Sequence, residues 1–310
     1  MKTALLFAGQ ATQYVGMGRH LWTQYPLART YFERADAALG ETLSKTIFEG
    51  PEADLNRTAN TQPAVLTMAC AAHAVLAARG FVPDVVAGHS LGEYSALVSA
   101  GALDFEDAVR LCRRRGTYMQ AAVPEGRGAM AAIQRLEPEV VAQACSEVDG
   151  YCEPAVYNAP KLVIISGETE AVAAASAKLA EMRAIVIPLA VSAPFHCAML
   201  RPAAAQLAAD LATIEVGPLT VPYISNIDAK WHDDASPDVI RDNLVRQVVG
   251  AVRWRSSISL MLERGVERFW HVGPGRANLT HVKRQARKAP MATLDNEAQF
   301  RDILGELEDR

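Results

Sequence analysis

The sequence has few cysteines, and they form no recognisable pattern. The five cysteines are scattered and odd in number, and no two of them are spaced as a CxxC pair. This argues against a disulfide framework and against a zinc site, because both need cysteines at characteristic spacings. We therefore predict reduced, structural thiols and no bound metal, as is usual in the cytoplasm.

Long apolar runs are also missing. The first ten residues, MKTALLFAGQ, contain one lysine and a short apolar run that ends at Gly9, which is too little for a signal peptide. No stretch is long and uncharged enough to cross a bilayer. We expect a cytoplasmic protein that does not associate with membranes.

A large excess of charge of either sign is absent as well. The net charge of −4 gives no indication of nucleic-acid binding. Half of the 310 residues are hydrophobic and 21% are charged, which is ordinary for a soluble globular protein. The length suits one large domain, or a large domain with a smaller one attached, and we expect a monomer.

Short apolar runs alternate with helix-like segments along most of the chain. Strands are predicted at residues 3–7, 83–87, 221–225 and 268–272, and helices at 28–39, 61–79 and 104–119. Pro63 is expected in the first turn of its helix, where proline is tolerated. Between residues 128 and 191 the predicted order is strand, helix, strand, strand, helix, strand. That order is typical of a ferredoxin-like unit, here inserted into a mostly parallel sheet covered by helices.

The sharpest motif is GHSLG at residues 88–92, between a predicted strand and a predicted helix. A serine at such a turn exposes its hydroxyl, and the helix that follows directs its N-terminal amides towards a developing oxyanion. We interpret Ser90 as a nucleophile rather than a structural serine. The predicted fold class is α/β, with an α/β-hydrolase-like large subdomain formed by residues 1–124 and 195–310 and a ferredoxin-like small subdomain at 125–194.

Ser90 needs a general base, and His196 is the best candidate among the seven histidines. It follows a predicted strand and a proline in the segment SAPFH (192–196), where active-site loops commonly lie. A histidine buried for structural reasons fits this position about equally well. Related hydrolases place an acid between serine and histidine, but no Asp or Glu is marked for that role. A two-residue arrangement, with the imidazole oriented by a backbone carbonyl, is therefore an open alternative.

Several further motifs resemble those of one enzyme family. They are FAGQATQ (7–13), GMG (16–18), TQPA (61–64), GHSLGEYSAL (88–97), RG (115–116), GAMAA (128–132), NAP (158–160), FH (195–196) and VGPG (272–275). Each segment is weak alone, but together, in this order and spacing, they are specific and cover nearly the whole chain. The chain resembles malonyl-CoA:acyl-carrier-protein transacylases and the free-standing acyltransferases of polyketide synthesis.

The resemblance implies a role for each matching residue. Ser90 would be the acylated nucleophile and His196 its general base, and backbone carbonyls near His271 and Val272 would orient the imidazole. The remaining implied residues are the oxyanion-hole amides of Gln10 and Leu91 and, in the acyl or pantetheine pocket, Arg115, Gln62, Asn158 and Phe195.

Arg115 is the residue expected to select the substrate. Its guanidinium offers two parallel donors to the free carboxylate of a malonyl group, and an uncharged acyl group would leave it unpaired. The neighbouring Arg113 and Arg114 read as a solvated basic helix end. The resemblance associates Phe195 and Leu91 with malonyl rather than methylmalonyl groups.

Some features depart from the family pattern. GQATQ stands where GQGSQ is usual, so that Ala11 would be strained if its position needs a positive φ. QR (134–135) and RANL (276–279) are also unusual. A basic run, formed by Arg276, Lys283, Arg284, Arg287 and Lys288, fits equally well a docking face for an acidic carrier protein and an ordinary solvated helix.

The function implied by the resemblance is transfer of a malonyl or related carboxyacyl group. The donor would be coenzyme A and the acceptor the phosphopantetheine thiol of an acyl carrier protein, in fatty-acid or polyketide synthesis, with no cofactor. One alternative is a hydrolase that clears acyl groups from carrier proteins, but Arg115 argues against it because such an enzyme usually meets uncharged chains. A non-catalytic scaffold that only docks the carrier protein is the other alternative, and Ser90, His196 and Arg115 together speak against it.

Overall fold

The structure of the chain is a computed structural model that describes residues 1–191 and 193–308. Ser192, which belongs to the segment before the predicted base, lies outside the described residues, as do residues 309–310. The strands are β1 (Thr3–Phe7), β2 (Val85–Gly88), β3 (Gly128–Gln134), β4 (Cys152–Ala159), β5 (Leu162–Glu168), β6 (Ile185–Pro188), β7 (Tyr223–Ile224), β8 (Trp231–His232), β9 (Arg268–Val272) and β10 (Met291–Thr293).

The helices surround two separate sheets. They are α1 (Arg19–Gln24), α2 (Pro26–Leu39), α3 (Leu43–Glu49), α4 (Glu52–Leu55), α5 (Thr58–Ala77), α6 (Gly92–Ser99), α7 (Phe105–Ala122), α8 (Pro138–Ser146), α9 (Thr169–Glu181), α10 (Arg201–Leu211), α11 (Pro237–Val249), α12 (Trp254–Glu263), α13 (Ala277–Lys283) and α14 (Glu297–Glu308). A 3₁₀ turn spans Ala198–Leu200. None of the helices that the structure describes is both long and apolar enough to cross a bilayer.

The larger sheet is mostly parallel. Its six strands lie in the order β10-β9-β1-β2-β7-β8, and β8 alone runs antiparallel to its neighbour. Every residue of β1 and β2 is buried, which explains why both read as continuous apolar runs rather than alternating ones. Because parallel strands share one direction, the loops after β1 and β2 emerge at the same edge of the sheet.

The smaller sheet is antiparallel and has the order β4-β5-β3-β6. Helices α8 and α9 pack on it and enclose a separate apolar core. Strand, helix, strand, strand, helix, strand is the order predicted from the sequence, and the fold class is confirmed. The bounds proposed for the subdomains, 125–194 and the two flanking segments, stay a prediction.

Several elements differ in their bounds from the sequence expectation, and two of these differences have a structural reason. Helix α5 begins at Thr58, so Pro63 lies inside the helix and its placement in the first turn was wrong. The additional turn packs against α7 where Gly116 has no side chain, since a Cβ there would lie 2.6 Å from the Thr58 carbonyl oxygen. Strand β6 is shorter than the strand predicted to end at residue 191. It ends at Pro188, which has no N–H to donate to a sheet.

Burial lowers the pKa of all seven histidines, since withdrawal from water disfavours the charged imidazolium. The pKa of His73 falls to about 4, and those of His196 and His281 fall to about 3. In the unfolded chain these groups titrate near 6.5. Below that pH the unfolded chain therefore binds protons that the folded protein does not bind, and acid lowers stability.

We predict that the free energy of unfolding falls as the pH drops from about 6.5 towards 4, by up to about 1.4 kcal/mol per pH unit for each such histidine. Urea unfolding at about pH 7.5, 6 and 5 and at constant ionic strength measures this slope. The variant His73→Gln should have a shallower slope because it lacks one of these rings. Equal stability at all three pH values would contradict the prediction.

Candidate active site

Ser90 occupies a sharp turn between the end of β2 and the start of α6. Its φ of 54° is left-handed, a strained conformation for a residue with a side chain. The glycines on either side make the turn fit. A Cβ on Gly88 would lie 1.8 Å from the Gly92 carbonyl oxygen, and a Cβ on Gly92 would lie 2.5 Å from that of Phe7. The GHSLG motif thus forms the turn that its spacing predicts, and the Ser90 hydroxyl faces a cavity.

His196 is hydrogen-bonded to Ser90, as the sequence predicted. The Ser90 hydroxyl donates to Nε2 at 2.7 Å, and Nδ1–H donates to the Gln247 backbone carbonyl at 2.8 Å. The second bond places the proton on Nδ1 and leaves the Nε2 lone pair facing the serine. Burial, reinforced by the positive charge of Arg115, lowers the pKa of His196 to about 3. The imidazole is therefore neutral and able to accept a proton.

The carbonyl that orients His196 was assigned wrongly from the sequence. It belongs to Gln247, in the last turn of α11, where carbonyls have no partner within the helix. The groups proposed from the sequence, near His271 and Val272, form hydrogen bonds with other residues instead. The Val272 carbonyl accepts from the amide of Ala8 at 2.9 Å, and His271 Nε2 pairs with the Pro274 carbonyl at 3.0 Å. Gln247 lies in no recognisable motif, so nothing in the sequence marked it.

Arg115 is buried beside Ser90, with 2% of its surface exposed. Its Nη1 donates to Gln62 Oε1 at 2.6 Å, and its Nη2 donates to Gln247 Oε1 at 2.8 Å and to Ser90 Oγ at 3.2 Å. The guanidinium also lies 5.5 Å from the centre of the Tyr94 ring. Within residues 1–191 and 193–308, no Asp or Glu forms an ion pair with it. Arg115 is thus a buried cation held only by neutral groups.

The two preceding arginines behave differently. Arg114 is exposed and pairs with Asp210 at 2.7 Å, and Arg113 pairs with Glu41 and Asn60. The distinction of these two residues from Arg115 agrees with their positions, but they lie in the middle of α7, so their interpretation as a helix end was wrong.

Gln62 connects Arg115 to the loop after β1. Gln62 Nε2 donates to Thr58 Oγ1 at 3.0 Å, and the Thr58 hydroxyl donates to Gln10 Oε1 at 2.7 Å. Neither the backbone amide of Gln10 nor that of Leu91 has a hydrogen-bond partner in the described part of the chain. Both amides are therefore available to a ligand, and their role in an oxyanion hole stays a prediction.

Ala11 does have a positive φ, of 70°. The left-handed conformation costs an alanine roughly 1 kcal/mol relative to glycine. Two hydrogen bonds hold the loop in this shape: the Ala11 amide donates to Gln13 Oε1 at 2.9 Å, and the Thr12 hydroxyl donates to the Gly9 carbonyl at 2.7 Å. Side chains of the loop thus compensate for the missing glycine.

Ser90 is also fixed through its backbone by two residues that the sequence did not indicate. Its amide donates to Asn226 Oδ1 at 2.7 Å, and its carbonyl accepts from Gln247 Nε2 at 2.9 Å. Glu93 Oε2 in turn accepts from the backbone amide of Asn226 at 3.2 Å and from Gln247 Nε2 at 2.7 Å. Burial raises the pKa of Glu93 to about 7.

The cavity at Ser90 has a volume of about 130 Å³ and lies between the two sheets. Gln10, Gln62, Ser90, Arg115 and His196 form its polar side. The apolar walls are Met119, Met130, Val156, Ile164, Leu189, Val191 and Phe195. A cavity of this size admits a short acyl group with one charged end, and its walls leave little room beside it.

Asn158 lies behind the cavity wall rather than on it. Its Oδ1 is 2.8 Å from Nε2 of His89, and His89 itself lines the cavity. The part assigned to Asn158 near the acyl or pantetheine path stays a prediction.

The basic run begins directly before α13 and continues past its end. Arg276, Lys283, Arg284, Arg287 and Lys288 are all exposed, and none forms an ion pair with a described carboxylate. His281 of the same helix stacks on His89 with 6.4 Å between ring centres, so that α13 adjoins the Ser90 cavity. No group of three or more His, Cys, Asp or Glu side chains in the described ranges is arranged to hold a metal ion.

Known proteins with similar sequences cover nearly the whole chain. The malonyl CoA-acyl carrier protein transacylase of Escherichia coli (strain K12) is 46% identical over 286 residues, which are 91% of this chain and 92% of that protein. The transacylase of Haemophilus influenzae is 41% identical over 307 residues, 97% of this chain and 98% of its own length.

Solved structures agree with the sequence comparison. An acyl carrier protein S-malonyltransferase from Vibrio cholerae superposes with a TM-score of 0.94 at 39% identity, covering 98% of this chain and 100% of that one. A malonyl-transacylase solved in complex with its type II PKS acyl-carrier protein gives a TM-score of 0.95 at 40% identity, covering 99% and 100%.

The family model described as the acyl transferase domain matches residues 4–306. A match of this length, together with relatives at more than 40% identity, shows that the chain belongs to the acyl transferase domain family.

Proposed function

We propose that this chain transfers a malonyl group from coenzyme A to the phosphopantetheine thiol of an acyl carrier protein through a malonyl ester on Ser90. The observation that supports this most is the shared cavity. Ser90, a neutral His196 and a buried cation without a carboxylate partner among the described residues all face it. The names of the relatives describe the same reaction.

In the first half-reaction, the Ser90 hydroxyl attacks the thioester carbonyl of malonyl-CoA. His196 Nε2 accepts the hydroxyl proton while its Nδ1–H stays bonded to the Gln247 carbonyl. The amides of Gln10 and Leu91 stabilise the oxyanion. As the tetrahedral intermediate collapses, the carbon–sulfur bond breaks, and the imidazolium gives its proton to the departing thiolate.

In the second half-reaction, the thiol of the carrier protein attacks the malonyl-Ser90 ester. His196 takes the thiol proton and then returns a proton to Ser90 Oγ, so that the enzyme is regenerated. Coenzyme A leaves before the carrier thiol reacts, which gives ping-pong kinetics. The mechanism uses no metal and no redox cofactor.

Arg115 selects the acyl group. A malonyl carboxylate can accept both Nη donors in a planar fork and neutralise a charge that, among the described residues, now contacts the neutral groups of Gln62, Gln247, Ser90 and Tyr94. An acetyl group cannot do so. Phe195 and the other apolar walls crowd the carbon between the two malonyl carbonyls, and we therefore expect malonyl to be preferred over branched extender groups.

The carrier protein docks, in this proposal, on the basic residues of α13 and the segment after it. Five exposed cations on and around α13, whose His281 stacks on the cavity residue His89, complement the acidic surface of a carrier protein. The cytoplasmic location and the monomeric state stay predictions.

The first prediction from the proposed function concerns Ser90. Ser90→Ala should lower malonyl transfer by at least about 1000-fold, because the covalent intermediate cannot form. Intact-protein mass spectrometry after incubation with malonyl-CoA should show one added malonyl group in the parent protein and none in the variant. Ser95→Ala is the control, since it removes a buried hydroxyl, without a partner among the described residues, from the helix that follows Ser90 and should leave the adduct unchanged. Native transfer rates in Ser90→Ala would refute the mechanism.

The second prediction concerns Arg115. Arg115→Ala should lower kcat/KM for malonyl-CoA about 1000-fold, as expected when the partner of a buried charge is removed. The loss with acetyl-CoA should be far smaller, so the preference for malonyl collapses. Arg114→Ala, which changes an exposed neighbour, should behave like the parent protein. Equal losses of kcat/KM with both substrates would argue that Arg115 has a structural role. Rapid hydrolysis of acetyl groups by the parent protein, without malonyl transfer, would favour the alternative function as a hydrolase.

The third prediction tests the docking face. The double variant Lys283→Glu/Arg284→Glu should raise KM for the carrier protein about tenfold at low salt, since each reversed charge now repels an acidic partner. The rate of Ser90 acylation by malonyl-CoA should not change. Lys45→Glu, on the exposed side of α3, serves as the control. If the KM for the carrier protein is unaffected, docking takes place elsewhere.

A further inference from the structure

Glu93 is a buried acid that the transfer mechanism does not use. It lies in the first turn of α6, three residues after Ser90, and is completely buried. Of the Asp and Glu residues in the described chain, it alone is buried to this degree. Burying a carboxylate is costly unless it is paired or hydrogen-bonded. Its position beside the catalytic serine therefore calls for an explanation.

A single amide group separates Glu93 from Arg115. Gln247 Nε2 donates to Glu93 Oε2 at 2.7 Å, while Oε1 of the same amide accepts from Arg115 Nη2 at 2.8 Å. The amide is thus oriented with its negative end towards the cation and its positive end towards the acid. Glu93 and Arg115 are thus connected through the side chain of Gln247.

The two oxygens of Glu93 have different surroundings. Oε2 accepts from the side chain of Gln247 and from the backbone amide of Asn226, whereas Oε1 is buried without a hydrogen-bond partner in the described chain. A proton can therefore bind at Oε1 without breaking either hydrogen bond of Oε2. The Glu93 side chain can change its charge while Gln247 and Asn226 stay in place.

We propose that Glu93 is the counter-charge of Arg115 in the empty site, and that it takes up one proton from solvent at Oε1 when a malonyl carboxylate binds Arg115. The inference rests on the proposed function, because it takes the malonyl carboxylate as the ligand of Arg115. It adds a proton-linked step to substrate binding: one carboxylate replaces another as the partner of the guanidinium, and the displaced acid becomes neutral.

The direction of the pH effect follows from linkage. Burial raises the pKa of Glu93 to about 7; the hydrogen bonds from Gln247 and Asn226 and the charge of Arg115 oppose this rise, and Asp228 reinforces it. A second negative charge next to Arg115 raises this pKa further, so that binding takes up a proton at or above neutral pH. Binding therefore weakens as the pH rises through this range. Well below pH 7, Glu93 is already protonated and uptake disappears.

The other titratable groups near Glu93 do not change charge in this range. Arg115 faces Glu93 from α7, on the other side of the Gln247 amide. From the segment around β7, Asp228 has a lowered pKa and stays ionised, and burial raises the pKa of Tyr223, so that it stays neutral. On α6 itself, burial keeps Tyr94 neutral by raising its pKa. His196, in the segment before the 3₁₀ turn, has a pKa of about 3.

Calorimetry of malonyl-CoA binding to Ser90→Ala, which cannot be acylated, tests the proposal. Titration in two buffers of different ionisation enthalpy counts the protons taken up on binding. We expect about half a proton at about pH 7.5, close to none at about pH 6, and a Kd about fivefold weaker at about pH 8 than at about pH 6. Acetyl-CoA, which lacks the carboxylate, corrects for titration of the coenzyme A phosphates and should show no additional uptake.

Two further variants assign the proton. In Ser90→Ala/Glu93→Gln, the amide oxygen can accept both hydrogen bonds of Oε2, but the side chain cannot bind a proton, so uptake and the pH dependence of Kd should vanish. Ser90→Ala/Asp228→Asn, which neutralises a nearby carboxylate with no bond to Gln247, should keep the uptake. Uptake that persists in the Glu93→Gln variant would assign the proton to another group and overturn the proposal.

The single variant Ser90→Ala decides the matter even if the double variant does not fold. Malonyl-CoA binding without net proton uptake at about pH 7.5 would overturn the role of Glu93. The proposed function would be unaffected by that result, because the malonyl adduct on the parent protein is measured separately.

Discussion

A guanidinium buried without an ion pair is the constraint on which the site depends. Arg115 is stabilised by amide oxygens and an aromatic ring, and no carboxylate of the described chain contacts it directly. Each glutamine that accepts from Arg115 also has an NH₂ group that needs an acceptor. The NH₂ group of Gln62 donates to Thr58, and that of Gln247 donates to Glu93. On both sides of the cation, therefore, each group accepts a hydrogen bond from the neighbour nearer to Arg115 and donates one to the neighbour farther away.

The same cation accounts for the state of the catalytic pair. Arg115 Nη2 lies 3.2 Å from Ser90 Oγ, and its charge acts with burial to keep His196 unprotonated. Gln247 joins all of these groups, since its side chain contacts Arg115, Glu93 and the Ser90 carbonyl while its backbone carbonyl orients His196. Nucleophile, base and cation are thus positioned by one residue at the end of α11.

The sequence allowed the fold class and the central pair to be predicted because both depend on local signals. Continuous apolar runs indicated buried parallel strands, and GHSLG required a strand–turn–helix. The position of His196 after a predicted strand and a proline made it the best candidate base, and the family resemblance gave Arg115 its role. The structure places both beside Ser90. Gln247 was missed because its contribution includes a backbone carbonyl, which any residue type can supply. The partners of Glu93 lie more than a hundred residues away in the chain, so its burial left no local pattern.

The support for His196 sets how firmly this enzyme holds a transferred proton. A helix-end carbonyl has only a partial negative charge, whereas the carboxylate of a hydrolase triad has a full one. An imidazolium facing Gln247 is therefore a stronger acid and readily gives up its proton. Substrate and product of the acyl exchange are both thioesters of similar energy, so the reaction has little driving force in either direction. A weakly held proton suits such a balanced exchange, because it lowers the barrier to departure of whichever sulfur leaves.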